Sequence, residues 1–352
     1  MKKLLGCVLP LVVLLLATAS DGAAVSRWRV HQETGKFLVD LIETVGRGDT
    51  WFFGERLGVD WPASFHWDGR RIREVPLPRG IKGIIHDVDF VSADEGWAVG
   101  SWYIGEVLFV LRWDGKAWKV VRRESETDGF PQVKALGGGA ALVTGVSESE
   151  DENTEVHWKF DGRTWTEEES ELVLSDFSRQ YALGSRPAGQ ELLRWNGKVW
   201  TRVPVDVLPE SIKGHEVALG ELEDGPTGEI WMTVEQYTSD ESAATHLLHW
   251  NGGYWSRELV PLPSVHSHVS LISSDGRGGL WLSGHSGGLL WDENPPGSPF
   301  LYHRLPSGQW EAVATNKTFY DMALVPGTTS LWAAGRYGFW DTEAVFTSGS
   351  PR

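Results

Sequence analysis

The sequence has 352 residues, a formal net charge of −16 at pH 7, 20 tryptophans and a single cysteine. A surface this acidic disfavours nucleic acid and anionic membranes as partners. Cys7 lies inside an N-terminal apolar run that reads as a leader, so the mature chain is expected to have no disulfide, no thiolate-bound metal and no cysteine nucleophile.

The chain opens with Met1-Lys2-Lys3, continues with an apolar run from Leu4 to Leu16, and reaches Ala17-Thr18-Ala19 before polar Ser20-Asp21. A basic start, a short apolar run and a small-x-small site form a secretory signal peptide, predicted over 1–19 with cleavage as late as 24. Leu5-Gly6-Cys7 resembles the end of a lipobox, but it precedes most of the apolar run, so lipidation is set aside. No later segment approaches the roughly 20 apolar residues of a membrane span. The expected product is a monomer that is secreted, or held in the periplasm or cell envelope. One domain is predicted over 25–346, followed by a tail over 347–352.

Two motifs then alternate along the chain. The first is an apolar stretch, in most copies a Trp followed by Gly or another small residue. It occurs seven times, at Trp51-Phe52-Phe53-Gly54, Trp97-Ala98-Val99-Gly100, Leu142-Val143-Thr144-Gly145, Ala182-Leu183-Gly184, Trp231-Met232-Thr233, Trp281-Leu282-Ser283-Gly284 and Trp332-Ala333-Ala334-Gly335. The second joins an aromatic residue to Asp-Gly or Asn-Gly and then to a further apolar residue. Its copies are Trp67-Asp68-Gly69, Trp113-Asp114-Gly115, Phe160-Asp161-Gly162, Trp195-Asn196-Gly197 and Trp250-Asn251-Gly252, with a degenerate sixth at Ser307-Gly308. Such dipeptides favour two-residue hairpin turns with both central residues at positive φ.

Successive glycines of the second motif lie 35 to 56 residues apart, the length of a four-stranded propeller blade. Blade 2, for example, reads as strand a from His86 to Val91, b from Trp97 to Gly100, c from Leu108 to Trp113 and d from Trp118 to Val121. The expectation is an all-β, seven-bladed β-propeller with four-stranded blades. The seventh unit lacks its own outer hairpin, whereas the mature N-terminus carries an isolated Trp28-Arg29-Val30 of strand-d pattern. This N-terminal strand is predicted to complete the last blade and close the ring, removing the exposed sheet edges.

Fifteen of the 20 tryptophans fall at repeat positions and read as packing between blades. Trp61, Trp102, Trp158, Trp291 and Trp340 lie off the pattern and remain free for a ligand. The acidic runs 148–155 and 167–171 read as solvated loops. Asn316-Lys317-Thr318 fits a glycosylation sequon but reads as a chance match, because the leader has a bacterial form.

The stretch Ser274-Asp275-Gly276-Arg277-Gly278-Gly279-Leu280-Trp281 resembles the propeller repeat of two-component-regulator sensors. Asp87-Val88-Asp89-Phe90-Val91-Ser92-Ala93-Asp94-Glu95-Gly96-Trp97 resembles the repeats of secreted BNR-like and photosystem-assembly-factor propellers. The resemblance implies the fold and little about activity. Ser92-Ala93-Asp94-Glu95-Gly96 matches half of a sialidase Asp-box, but Trp97 comes two residues early and no arginine recurs at one blade position. Galactose-oxidase chemistry needs a cysteine that the mature chain lacks.

Inner strands of a propeller line its central channel. The start of each predicted strand a offers a polar group: Asp40, His86 with Asp87, Gln132 with Lys134, Asp176, His215 with Glu216, His266 with His268, and Tyr320 with Asp321. This ring is the expected ligand site at the channel mouth. His266 and His268, two apart on a strand, face one way and could share a divalent metal with Glu216 or Asp321; otherwise no cofactor is expected. No HExxH, P-loop or dinucleotide motif is present. The expected function is an exported binding or scaffold protein whose partner is an extracellular or envelope protein or glycan. The alternative is a glycan-active hydrolase or lyase working through the same ring.

Overall fold

The computed structural model describes residues 28–35, 37–59, 61–102, 107–125, 127–147, 155–178, 180–186, 189–208, 217–237, 243–264, 267–286, 298–337 and 342–348. Every regular element among them is a β-strand, and the strands form seven antiparallel sheets of four. Blades 1 to 6 span 37–74, 84–125, 127–170, 173–203, 217–259 and 267–312. Each runs from strand a to strand d in chain order. Blade 7 joins three strands from 317–348 to the N-terminal Trp28–Glu33. The outermost pair, Trp28 with Ser348 through Glu33 with Ala344, is the predicted closure.

Apolar residues alternate along each strand because successive side chains point to opposite faces of a sheet, and here both faces meet another blade. One cluster joins Trp51 and Phe53 of blade 1 to Phe90, Leu111 and Trp118 of blade 2. Another joins Trp28, Phe319 and Phe346 of blade 7 to Trp281 and Leu301 of blade 6. The repeat tryptophans are therefore packing residues, as their periodicity implies. So is off-pattern Trp158, which is 3% exposed on strand c of blade 3 and donates Nε1–H to Glu167 Oε2 at 2.8 Å. Trp291 and Trp340 lie outside the described residues.

Several strand-b tryptophans are covered by the cross-strand partner on strand c. Trp231 stacks on His249 at 3.6 Å, Trp281 on His303 at 4.3 Å and Trp51 on His66 at 4.5 Å, while the Arg112 guanidinium lies 5.5 Å from the Trp97 ring. These histidines serve the blades rather than a ligand.

The hairpin motif differs from its expected form. Trp67 pairs with Ile72 and Trp113 with Trp118, which leaves four residues in each connection. Only the glycine takes positive φ, 83° at both Gly69 and Gly115. The Asp side chain closes the turn instead: Asp114 Oδ1 accepts the N–H groups of Lys116 at 3.1 Å and Ala117 at 2.9 Å. This is the local bonding by which Asp and Asn favour turns.

The strand-b glycines have a packing origin. A Cβ built on Gly54, Gly100, Gly284 or Gly335 would lie 1.9 to 2.1 Å from a carbonyl oxygen of the adjacent strand a, so no side chain fits.

Candidate functional site

Every inner strand carries a register shift against strand b. In most blades the residue left out of pairing is the one that the sequence marked as polar. The shift passes over Asp40 between Val39 and Leu41, His86 between Ile85 and Asp87, Asp176 between Ser175 and Phe177, and Tyr320 between Phe319 and Asp321. These are β-bulges, which bend a strand and redirect side chains. Asp176 takes φ 48°, a region that Asp tolerates better than most residues.

The bulges bring carboxylates to the neighbouring blade. Asp87 Oδ2 accepts the Val133 N–H at 2.8 Å, Asp176 Oδ2 the Leu222 N–H at 2.6 Å, and Asp321 Oδ2 the Ile42 N–H at 2.6 Å. Three ring members thus clamp blade 2 to 3, 4 to 5 and 7 to 1. Further clamps escaped the sequence reading. Asp89 holds Ala135, Glu223 holds Ser274 and Glu155 holds Leu174, each at 2.8 Å. Glu155, 3% exposed and also bound to His157, is therefore no solvated loop residue, and Glu167 to Glu169 lie on strand d of blade 3. The missed signal was spacing: Asp89 follows Asp87 by two on the same strand, which returns it to the same face.

The remaining ring members have other surroundings. His86 Nε2 meets Ser101 Oγ at 2.7 Å, His268 Nδ1 meets Glu235 Oε1 at 2.9 Å, and Tyr320 donates to Glu343 Oε1 at 3.3 Å. Asp40 Oδ1 and Gln132 Oε1 are buried with no hydrogen-bond partner. His215, Glu216 and His266 lie outside the described residues, and with them one half of the His266–His268 pair. Among the described residues no group of three His, Cys, Asp or Glu side chains is placed to hold a metal ion. No helix among them is long and apolar enough to cross a membrane.

Burial in the channel shifts the acids upward, because the charged form loses water. It raises Asp40 to about 7, with Glu55 pushing the same way. Asp87 and Asp176 also rise to about 7 and Asp321 to about 6, although backbone N–H groups oppose each shift. Burial, Asp176 and Asp321 raise Glu221 well above the ordinary range. Burial lowers His86, and the bond to Glu235 raises His268.

A cavity of about 520 Å³ occupies the channel. It is walled by the second halves of the inner strands and by the a–b turns at Pro226 and Pro326, not by the strand starts where the ring was expected. Of the ring, Asp87, Lys134 and Asp321 reach it, Lys134 bound to Asp89 Oδ2 at 2.8 Å. The other ionisable side chains are Glu43, Asp89, Glu223 and Asp224. The chamber is anionic, with one buried ammonium group.

No protein-family model matches the chain, and no curated protein sequence does. Solved structures do. A structure of YCF48 bound to D1 peptide superposes with a TM-score of 0.59 at 16% identity, covering 92% of this chain and 97% of that one. The GH74 xyloglucanase from Xanthomonas campestris gives 0.56 at 14% over 91% of this chain, which spans about half (55%) of the enzyme. The propeller domain of the trilobed protease from Pyrococcus furiosus, described as an open velcro, gives 0.53 at 11%, covering 88% and 95% of the two chains. At such identities the likeness is one of architecture: the chain is a β-propeller, of a fold shared by peptide-binding and glycan-cleaving proteins alike.

Proposed function

We propose that this protein is an exported binding or scaffold propeller that takes a cationic group of an extracellular or envelope partner, such as a lysine-rich peptide segment, into its channel. The carrying observation is the cavity of about 520 Å³ in which six carboxyl side chains face one ammonium. Five of the six already hold backbone groups of an adjacent blade, so the wall is a rigid acceptor surface. A charged peptide gains more there than in bulk water, because the low-dielectric wall screens it less. The peptide bound to YCF48, a protein of like fold, is consistent with such a role. Export rests on the leader over 1–19. The secreted form is expected to begin between residues 20 and 25, which N-terminal mass analysis reads directly.

The test is thermal unfolding of the mature protein with deca-lysine, deca-glutamate and a neutral oligosaccharide. Deca-lysine alone should raise the melting temperature, since a ligand of the folded state stabilises it. Substituting Glu43→Gln with Asp224→Asn should abolish the rise. If deca-lysine has no effect, or acts equally on the double variant, the channel is not the site.

A second reading, a glycan-active enzyme, is favoured by one observation. Asp40 combines a carboxyl near neutral pH with a buried, unpartnered Oδ1, as a general acid requires. Turnover of chromogenic glycosides that disappears in Asp40→Asn would support it, and no turnover across a glycoside panel would remove it.

A further inference from the structure

We propose that the peptide taken up by the channel carries acidic residues on either side of its lysine or arginine, and that a basic rim around the channel mouth on blades 1 to 4 holds them. This role presupposes the cationic occupant proposed above and fixes what flanks it.

The cavity opens between the a–b turns. Because the blades are antiparallel, the c–d hairpins fall at the same end, further from the axis. Four of these hairpins place a cation directly after the glycine: Arg70, Lys116, Arg163 and Lys198, all exposed. Exposed Arg71 follows Arg70, and Arg47 on the a–b turn of blade 1 donates to Gly327 O at the lip of the cavity. None of the six has an ion-pair partner among the described residues.

The fold does not require charge at the hairpin position. Its backbone N–H closes the turn, at 3.0 Å from Arg70 to Asp68 Oδ1, and the Gly253 N–H does the same for Asn251 Oδ1 at 3.0 Å in blade 5. In blade 6 the position is held by neutral Gln309. The acids of blades 1 to 4 at this mouth are engaged. Asp68 pairs with Arg73, Asp114 with Lys119 and Asp49 with His66, while Asp161 accepts the Thr164 N–H and Glu95 the Gly139 N–H. Among the described residues of these turns that leaves Asp94 against six cations.

An anionic rim ligand with a cationic head fits both zones at once. Neighbouring strands lie about 4.8 Å apart, which sets the hairpins about 12 Å outside the inner strands, and an extended peptide covers that distance in about four residues. A lysine in the channel therefore delivers residues some four positions away to the rim. An anionic polysaccharide would match the rim but offers nothing to the six carboxyl groups inside it.

The probe is a rhodamine-labelled peptide with a lysine pair at its centre, four glycine and serine residues on each side and a glutamate pair at each end, followed by anisotropy at low salt. A permuted peptide carries the glutamates at the centre and the lysines at the ends; deca-lysine and a polygalacturonate oligomer complete the set. The matched peptide should bind about tenfold more tightly than the permuted one. Arg70→Gln, Lys116→Gln, Arg163→Gln and Lys198→Gln combined should remove that advantage, since exposed ion pairs are weak singly and act here together. The same variant should bind deca-lysine at least as well as the parent and keep its unfolding midpoint, because Gln309 already occupies the equivalent place in blade 6. Glu43→Gln with Asp224→Asn should abolish binding of both peptides. Deca-lysine binding with no preference for the matched over the permuted peptide would overturn the rim and leave the channel reading standing. Failure of deca-lysine and the matched peptide alike would remove both. Polygalacturonate binding that the rim variant abolishes, stronger than that of the matched peptide, would make the occupant a glycan and overturn the proposal.

Discussion

Asp40 offers a direct measure of how far the channel resists charge. Its carboxyl sits at about 7 in the fold against about 3.9 in the unfolded chain, so the folded state holds a proton that the unfolded state releases. A group raised in this way stabilises the fold fully below pH 4, and that contribution is lost as pH climbs through 7. Between those limits it lowers the unfolding free energy by up to about 1.4 kcal/mol per pH unit, about 4 kcal/mol in all. Asp40→Asn keeps the shape and removes the titration. Urea unfolding followed by tryptophan fluorescence from pH 4 to 9 should show the variant close to the parent at pH 4 and several kcal/mol more stable at pH 8. Parallel curves for the two proteins across that range would refute the argument.

The clamps and glycines make sharper claims still. Asp89→Ala strands the Lys134 ammonium, 6% exposed, and should cost about 3 to 5 kcal/mol in urea unfolding, while Lys134→Met in the same protein should restore a large part. Simple additivity of the two changes would mean that no pair exists. Gly54→Ala would set a Cβ 1.9 Å from Leu38 O and should lose about 3 kcal/mol, whereas Gly46→Ala, which meets nothing within 4 Å, should change little. Equal midpoints for these two variants would show that strand a yields freely.

The architecture was readable because tryptophan and glycine recur for local reasons. A Trp that must fill the space between blades and a Gly that must admit a carbonyl leave the same mark in every unit, and the lone Trp28-Arg29-Val30 betrays the closure by its lack of a sheet. Polar residues at the inner-strand starts were equally visible. Their use was not, because Asp87 meets Val133 and Asp176 meets Leu222 through the docking of one blade on the next. Trp158 shows the same limit, being off the repeat yet held by Glu167 from the adjoining strand. The cavity's place at the a–b end depends on bulges that shift register by a residue, which alternation alone does not reveal.

The pairing of Trp28–Glu33 with Thr342–Ser348 links segments some 300 positions apart. Contacts of such sequence separation form late, because the intervening chain must first be ordered. A chain emerging N-terminus first therefore carries its opening strand without a partner until nearly the whole polypeptide has been delivered. Delivery of the last strand and completion of the final blade are then one event, and a molecule stalled before residue 342 would present the Trp28 strand to its neighbours as an adhesive edge.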